Sequence, residues 1–367
     1  MKKLVFGAAA LSLTGLAFAN DNAWDALDQD IQALSASVQG LEGTGMNIGG
    51  RIRTFYNNSG DIQVAPSGND LGGFSVPNAR LYAHGTTAQD IGYRIEVDFA
   101  GVGLLDAYLD IPVGGEITAR VGLFRPHVLR ESLIDSGNLF FADRSAHASL
   151  FSGRTNGLAV MGNFDAFDWA VSIMNGGDGV GDDLFYSVRA GLDILGEGTD
   201  LIEGAYGASE EMEASAGIAY FSDEAVDDAD GIAIEGSLAT SQFSAQAIIL
   251  NLGDAVSTAN ADMNESYGGL GGFGGVAGAL TGFADNTPFA LSGTFMLTEA
   301  SSDYGSWEVG ARFQDLDDTL STRIIDIGAN YYADGHNMKY IINWTSYDSD
   351  PGGLDGDLIR VGVNARF

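Results

Sequence analysis

From residue 46 onward the chain alternates apolar and polar side chains with a period of two. Ile48, Ile52, Thr54 and Tyr56 share one face, and Arg51 and Arg53 take the other. The pattern recurs with Leu81 against Arg80 and Tyr82, with Ile95 and Val97 against Arg94, Glu96 and Asp98, and with Leu105, Leu109 and Ile111 against Asp106 and Asp110. Late runs repeat it: Trp307, Val309 and Phe313 against Glu308 and Arg312, and Val361 and Val363 against Arg360 and Asn364. Such a period predicts strands. Counting the runs gives about 16, an even number in the range of membrane barrels. Strands of about 10 residues span a bilayer when tilted. The apolar faces carry no charge, so the apolar side is the outside and the charged side lines a lumen.

Connection lengths alternate. Short turns fall near 87–90, 114–115, 240–242 and 333–337, and long loops at 59–73, 126–153 and 253–287. Only 196–211 is long where a short turn is due, which leaves the count open by two strands. The stretch 126–153, PHVLRESLIDSGNLFFADRSAHASLFSG, has no sustained period but is rich in Leu and Phe. A long loop of that composition is functional rather than disordered and needs an enclosed place to fold. Folding into the lumen is expected, with an outward lid as the rival. Inward, it would set Arg130, Glu131, Asp135 and Arg144 across from Arg51, Arg53 and Arg80. Arg94 and Arg120 extend this ladder, and Glu96, Asp98, Asp106 and Asp110 are the acids that would pair with it. Together these residues are the expected pore lining.

The N terminus reads differently. Lys2 and Lys3, an apolar run from Leu4 to Phe18 and Ala17-Phe18-Ala19 form a signal peptide over 1–19. Trp24, Leu27, Ile31, Leu34, Val38 and Leu41 have heptad spacing, which predicts a short periplasmic helix within 20–45, either coiled-coil or amphipathic. The barrel then occupies 46–367. The chain has no cysteine and a formal net charge of -33. Nine arginines meet eleven acidic residues over 46–154, whereas six basic residues face 34 acidic ones from 155 onward. Nucleic acid is excluded as a partner. The acidity suits outer loops sharing divalent cations with lipopolysaccharide.

The chain ends on an alternating strand with terminal Phe, LIRVGVNARF, which resembles the assembly signal of outer-membrane barrels. The stretch NARLYAHGTTAQDIGYRIEVDFAGVGLLDAYLDI, followed by ARVGLFRPHVLRESLIDSGNLFFADRSA, resembles the phosphate-selective porin O/P family. Later segments, SWEVGARFQDLD and IGANYYADGHNMKYIINWTSYDSD, are similar too. The resemblance implies a homotrimeric, 16-stranded porin whose third loop narrows the pore. One departure stands out. Anion-selective members carry a lysine cluster, whereas beyond the signal peptide this chain has Lys339 alone.

The expected protein is therefore an all-β transmembrane antiparallel barrel of about 16 strands with a short N-terminal helix. It would be an outer-membrane porin for passive diffusion of small hydrophilic solutes or ions, with a weak preference for anions such as phosphate. The rivals are an outer-membrane phospholipase-like enzyme and a plugged structural or adhesive barrel. No catalytic, cofactor or metal residues are expected. His84, His127, His147 and His336 lack metal spacing, although His127 and His147 would share the third loop, and nothing marks Ser149 or Ser152 beside His147. Acidic runs such as DDADG and DLDD lack a full calcium loop.

Overall fold

The computed structural model describes residues 45–59, 63–64, 69–70, 72–101, 103–176, 183–224, 229–253, 287–298, 305–317, 321–350 and 355–367. The expected signal peptide, the heptad Trp24–Leu41 and the body of the glycine-rich 253–287 connection lie outside these residues. Residues 48–367 form one compact unit.

Sixteen antiparallel strands make a closed barrel. They are β1 (Met46–Ser59), β2 (Gly73–Thr86), β3 (Gly92–Asp98), β4 (Gly103–Gly114), β5 (Ile117–Phe124), β6 (Thr155–Phe164), β7 (Phe167–Asn175) and β8 (Leu184–Leu195), then β9 (Glu213–Asp223), β10 (Ala229–Ala239), β11 (Phe243–Leu252), β12 (Phe289–Met296), β13 (Ser306–Asp315), β14 (Arg323–Asp334), β15 (Met338–Asp348) and β16 (Gly356–Arg366). Each strand pairs with its sequence neighbours, and β1 closes on β16 with Arg51 opposite Arg366 and Ser59 opposite Leu358. Terminal Phe367 seals the seam: its N–H donates to Gly50 O at 3.0 Å and its carbonyl accepts from Gly50 N at 2.8 Å. In hydrocarbon every backbone polar group must be paired internally, and a closed sheet does this without an edge. The 196–212 connection holds no strand, so the even count stands.

Alternation places Ile52, Leu81, Ile95, Val188, Ile234 and Ile327 outward, all exposed on the barrel surface. At the end carrying the short turns, Trp307, Tyr331 and Tyr340 form an outer aromatic cluster with successive ring centroids 5.1 and 6.1 Å apart. Amphipathic rings of this kind suit the membrane interface. One strand departs from strict alternation. Leu105, expected outward, is 2% exposed, while Leu104 is 50% exposed. A bulge breaks the register, with Glu96 opposite Asp106 but Val97 opposite Leu104, and the extra residue turns Leu105 inward.

The inner face is not uniformly polar. Phe221, Leu250, Leu252, Ile324, Tyr347 and Leu358 point inward near the strand ends opposite the short turns, and belong to the main buried apolar cluster. The 125–154 connection supplies their partners, Val128, Leu129, Leu150 and Phe151. Burying one such side chain is worth about 1.5–3 kcal/mol.

The outer apolar face leads to a first prediction. Ile327→Arg puts a charge on the middle of β14's lipid side, and should destabilise the barrel by roughly 2–4 kcal/mol. Reversible urea unfolding from phospholipid vesicles measures this, and an unchanged midpoint would mean that this face does not meet lipid.

Candidate functional site

The third long loop folds back on itself inside the wall. It contains two single helical turns, α1 (Arg130–Leu133) and α2 (Ala146–Ser149). Ser145 caps α2, its hydroxyl accepting from Ala148 N at 3.1 Å. The Glu131 carboxylate accepts from Ser145 N at 2.6 Å and from its hydroxyl at 2.9 Å, tying the two turns together. Arg144 adds donors to the carbonyls of Glu131 and Ile134.

This loop reaches strands far apart in the barrel. Asp135 pairs with Arg51 on β1 and lies 3.2 Å from Arg366 on β16. Ser136 donates to Asn78 on β2 at 3.1 Å. Arg53 donates to Ala142 O at 2.6 Å, Asn330 to Phe140 O at 2.8 Å, and Lys339 to Leu139 O. Arg360 pairs with Asp143. Ala146 N donates to Gln314 at 2.7 Å and Arg130 N to Glu235 at 2.6 Å. One segment touching β1, β2, β10 and β13–β16 does so only from within. The ring of Phe140 rests on a floor of two paired glycines, Gly310 and Gly328. A Cβ there would stand 2.7 and 2.8 Å from the ring.

The middle of the loop is held on β1, β2 and β13–β16, while its two ends rest on β4, β7 and β9 through Arg154, His127 and Phe151. A cavity of about 780 Å³ lies between the β3–β9 wall and the loop. Its charged lining includes Arg94, Arg120, Arg125, Arg130, Arg154 and Arg189, with Glu96, Asp106, Asp135 and Asp168 among the acids. Most of these charges are paired along the wall. Arg80 meets Asp98 at 2.7 Å and Glu96 at 3.2 Å, and Arg94 also meets Glu96. Arg154 meets Asp106 at 2.9 Å. Arg120 grips Asp110 with two bonds of 2.7 and 2.8 Å and lies 3.9 Å above the Tyr108 ring. Arg189 bridges Asp168 and Glu235 at 2.8 and 2.7 Å. Arg130 instead turns one guanidinium nitrogen to the carbonyls of Asp200 and Ile202.

The expected lining residues divide into groups. Arg51 pairs with Asp135 of the loop, and Arg53 holds the loop at the Ala142 carbonyl. Arg80, Arg94, Glu96, Asp98 and Asp106 form a connected network on β2–β4, and Arg120 and Asp110 form a separate pair. Arg130 and Glu131 face Glu235 and Gln246 instead of Arg51, and Arg144 braces the loop internally. His127 and His147 do not meet: His127 is 3.4 Å from Ser172 and His147 is 3.3 Å from Asp315 O. Ser152 donates to Ser149 O. Sequence reasoning omitted Arg312, which meets Asp326 at 2.9 Å and Glu203 at 3.5 Å, together with Lys339, Arg360 and Asn330. Period-two alternation already put the first three of these on the inner face.

Solved structures match the whole barrel. A mutant of the Rh. blastica porin aligns at TM-score 0.52 and 16% identity, covering 88% of this chain and 100% of that one. Pseudomonas putida OprB at low pH aligns at 0.55 and 8%, covering 91% and 96%. The anion-selective porin from Comamonas acidovorans aligns at 0.55 and 12%, covering 88% and 99%. At such identities the likeness is one of fold, and the fold is that of a porin. Residues 46–190 match the family described as phosphate-selective porin O and P. That match contains the stretch on which the resemblance was strongest, and together with the fold it supports an outer-membrane diffusion channel. The similar late segments beyond residue 190 lie outside it. No curated protein matches the chain by sequence.

Two predictions follow from the loop's seat. Gly328→Val should overpack it by roughly 1–3 kcal/mol, loosening the third loop while the barrel still folds. Noisier open-channel current with retained heat-modifiability is the expected result. Burial, reinforced by the neighbouring Glu131, pushes the Glu203 carboxyl up to about 7 against its usual 4.5, while Arg312 and the amides of Phe140 and Phe141 oppose the rise. The docked loop thus holds a proton that a released one gives up. Docking is favoured at low pH and weakens as pH rises through 7. Open-channel noise should be greater at pH 8 than at pH 6, and Glu203→Gln should remove the difference.

Proposed function

We propose that this protein is a passive channel for small hydrophilic solutes and ions, weakly preferring anions such as phosphate, and that it works as a homotrimer in the outer membrane. In this reading its short turns face the periplasm and its acidic loops face lipopolysaccharide. The observation that carries it is the seating of the third loop inside the barrel, which leaves a cavity of about 780 Å³ against β3–β9 bordered by six arginines. Fold and family point to a channel rather than an enzyme.

The preference is weak because most of these arginines share carboxylates. Paired charges give a field across the passage but little net attraction along it. Arg130, bound to carbonyls, makes no ion pair among the described residues, and the nearby Glu235, Glu131 and Glu203 offset its charge only in part. A tight phosphate trap is not part of this reading. Lys339, the one lysine after the signal peptide, is fully buried against Leu139 O on the opposite wall, away from the passage.

Reversal potentials across a planar bilayer under a salt gradient test this. Anions should be modestly favoured at low salt, and the preference should fade near 1 M, where the screening length is about 3 Å. Arg130→Ala should lower it further. Cation preference at low salt, unchanged by Arg130→Ala, would overturn the anion reading. Absence of any conductance would overturn the channel.

A further inference from the structure

The connection between β8 and β9, residues 196–212, is the one long segment at the short-turn end among the described residues. It does not hang free. Thr199 N donates to Ser215 Oγ on β9 at 2.8 Å, and the Thr199 hydroxyl also meets Ser237 on β10. A few residues later Ala205 N donates to Glu308 on β13 at 2.6 Å. The Tyr206 ring then stacks on Tyr332 of β14 at 4.0 Å, with its carbonyl 3.3 Å from His336. Ser215, Ser237, Glu308 and Tyr332 all point inward, so the segment crosses the lumen from one part of the wall to another. Gly204 makes the crossing at φ +108, where a Cβ would stand 2.8 Å from the Glu308 carboxylate.

Midway it meets the tip of the third loop. Glu203 N donates to Asn138 O at 3.1 Å, and the Glu203 carboxylate accepts from Phe140 N at 2.8 Å and Phe141 N at 3.3 Å. Arg130 reaches back to the carbonyls of Asp200 and Ile202. The edge left uncovered, Glu197, Thr199 and Leu201, borders the same cavity as Arg120 and Arg130. We propose that residues 196–212 are a strap across the turn end of the lumen that forms a second constriction, with Leu201 and Glu197 as its solute-facing edge, in series with the third loop. The strap sets the size of solute that leaves the passage, with Glu197 and Leu201 on its cavity edge. This rests on the channel reading above.

The chain's lack of cysteine gives a clean test. In planar bilayers, replacing 200–208 by Gly-Ser-Gly should raise single-channel conductance at least roughly 1.5-fold, because a constriction in series limits flow. Leu201→Cys, treated with a cationic methanethiosulfonate from the turn side, should lose conductance in discrete steps. Ile218→Cys, on the outer face of β9, should not respond. Normal wild-type channels with unchanged conductance in the deletion would overturn the strap alone. So would Leu201→Cys that mass spectrometry shows to be modified without loss of current. If the deletion does not fold, the Leu201→Cys result decides. Wild-type protein that never conducts would overturn the channel reading itself, and the strap's role with it.

Discussion

Bilayer hydrocarbon offers no hydrogen bonds, so a sheet that enters it must close on itself. Closure fixes the outer face as apolar and leaves an inner face whose side chains project into a confined space. Any irregular segment inside must find partners for its own backbone there. A buried, unpaired N–H or carbonyl costs about 1–3 kcal/mol. The wall and the 196–212 connection supply those partners one by one. Arg53, Asn330 and Lys339 donate to the carbonyls of Ala142, Phe140 and Leu139. Glu235, Gln314 and Glu203 accept from the amides of Arg130, Ala146 and Phe140. The inner polar face is thus a mould for a non-repeating loop as much as a lining for water.

Polar pairing alone would not hold the loop in place. The inward apolar residues near the loop-bearing strand ends do that, together with the glycine floor under Phe140. Leu129, Phe140, Phe141 and Phe151 are all fully buried. Phe140 lies over the glycines of β13 and β14, whereas Phe151 packs on Phe221 of β9. The cavity lies where the wall from β3 to β9 is lined mainly by ion-paired side chains.

The barrel could be read from the sequence because its outer face obeys one strict rule. Lipid tolerates no charge at mid-depth, so Ile95, Val188 and Ile327 alternate without exception. The inner face answers to several demands at once, and there the reading weakened. Ile248, Leu250 and Leu252 are inward and apolar beside outward Ile249, so the second half of β11 is apolar on both faces and only Ser244 and Gln246 mark its inner side. The bulge at Leu105 swaps two leucines, which composition cannot distinguish. Arg51 meets Asp135, while Arg53 reaches the carbonyl of Ala142, a contact that the spacing of charged residues does not mark. Arg130 and Glu131 went elsewhere because their partners, Glu235 and the carbonyls of 200–202, lie on segments whose approach depends on the folded loop. The length of 196–211 was visible as an irregularity, and its contacts were not.

Net charge misleads about such a pore. The formal -33 belongs largely to the second part of the chain, whereas the stretch 46–154 is nearly balanced. Arg80, Glu96, Arg94, Asp106 and Arg154 alternate in sign as one connected chain across β2, β3, β4 and the loop's return. Such a chain holds each guanidinium in place, and its fields largely cancel beyond a few ångströms. What an ion feels is then set by the few charges outside it. Arg130 on the loop and Glu197 on the strap lie on the same cavity but on different segments, with opposite sign. Moving either segment changes the width of the path and the sign of its residual field together. In the proposed channel, selectivity and radius are thus coupled through the hydrogen bonds by which the two segments hold each other.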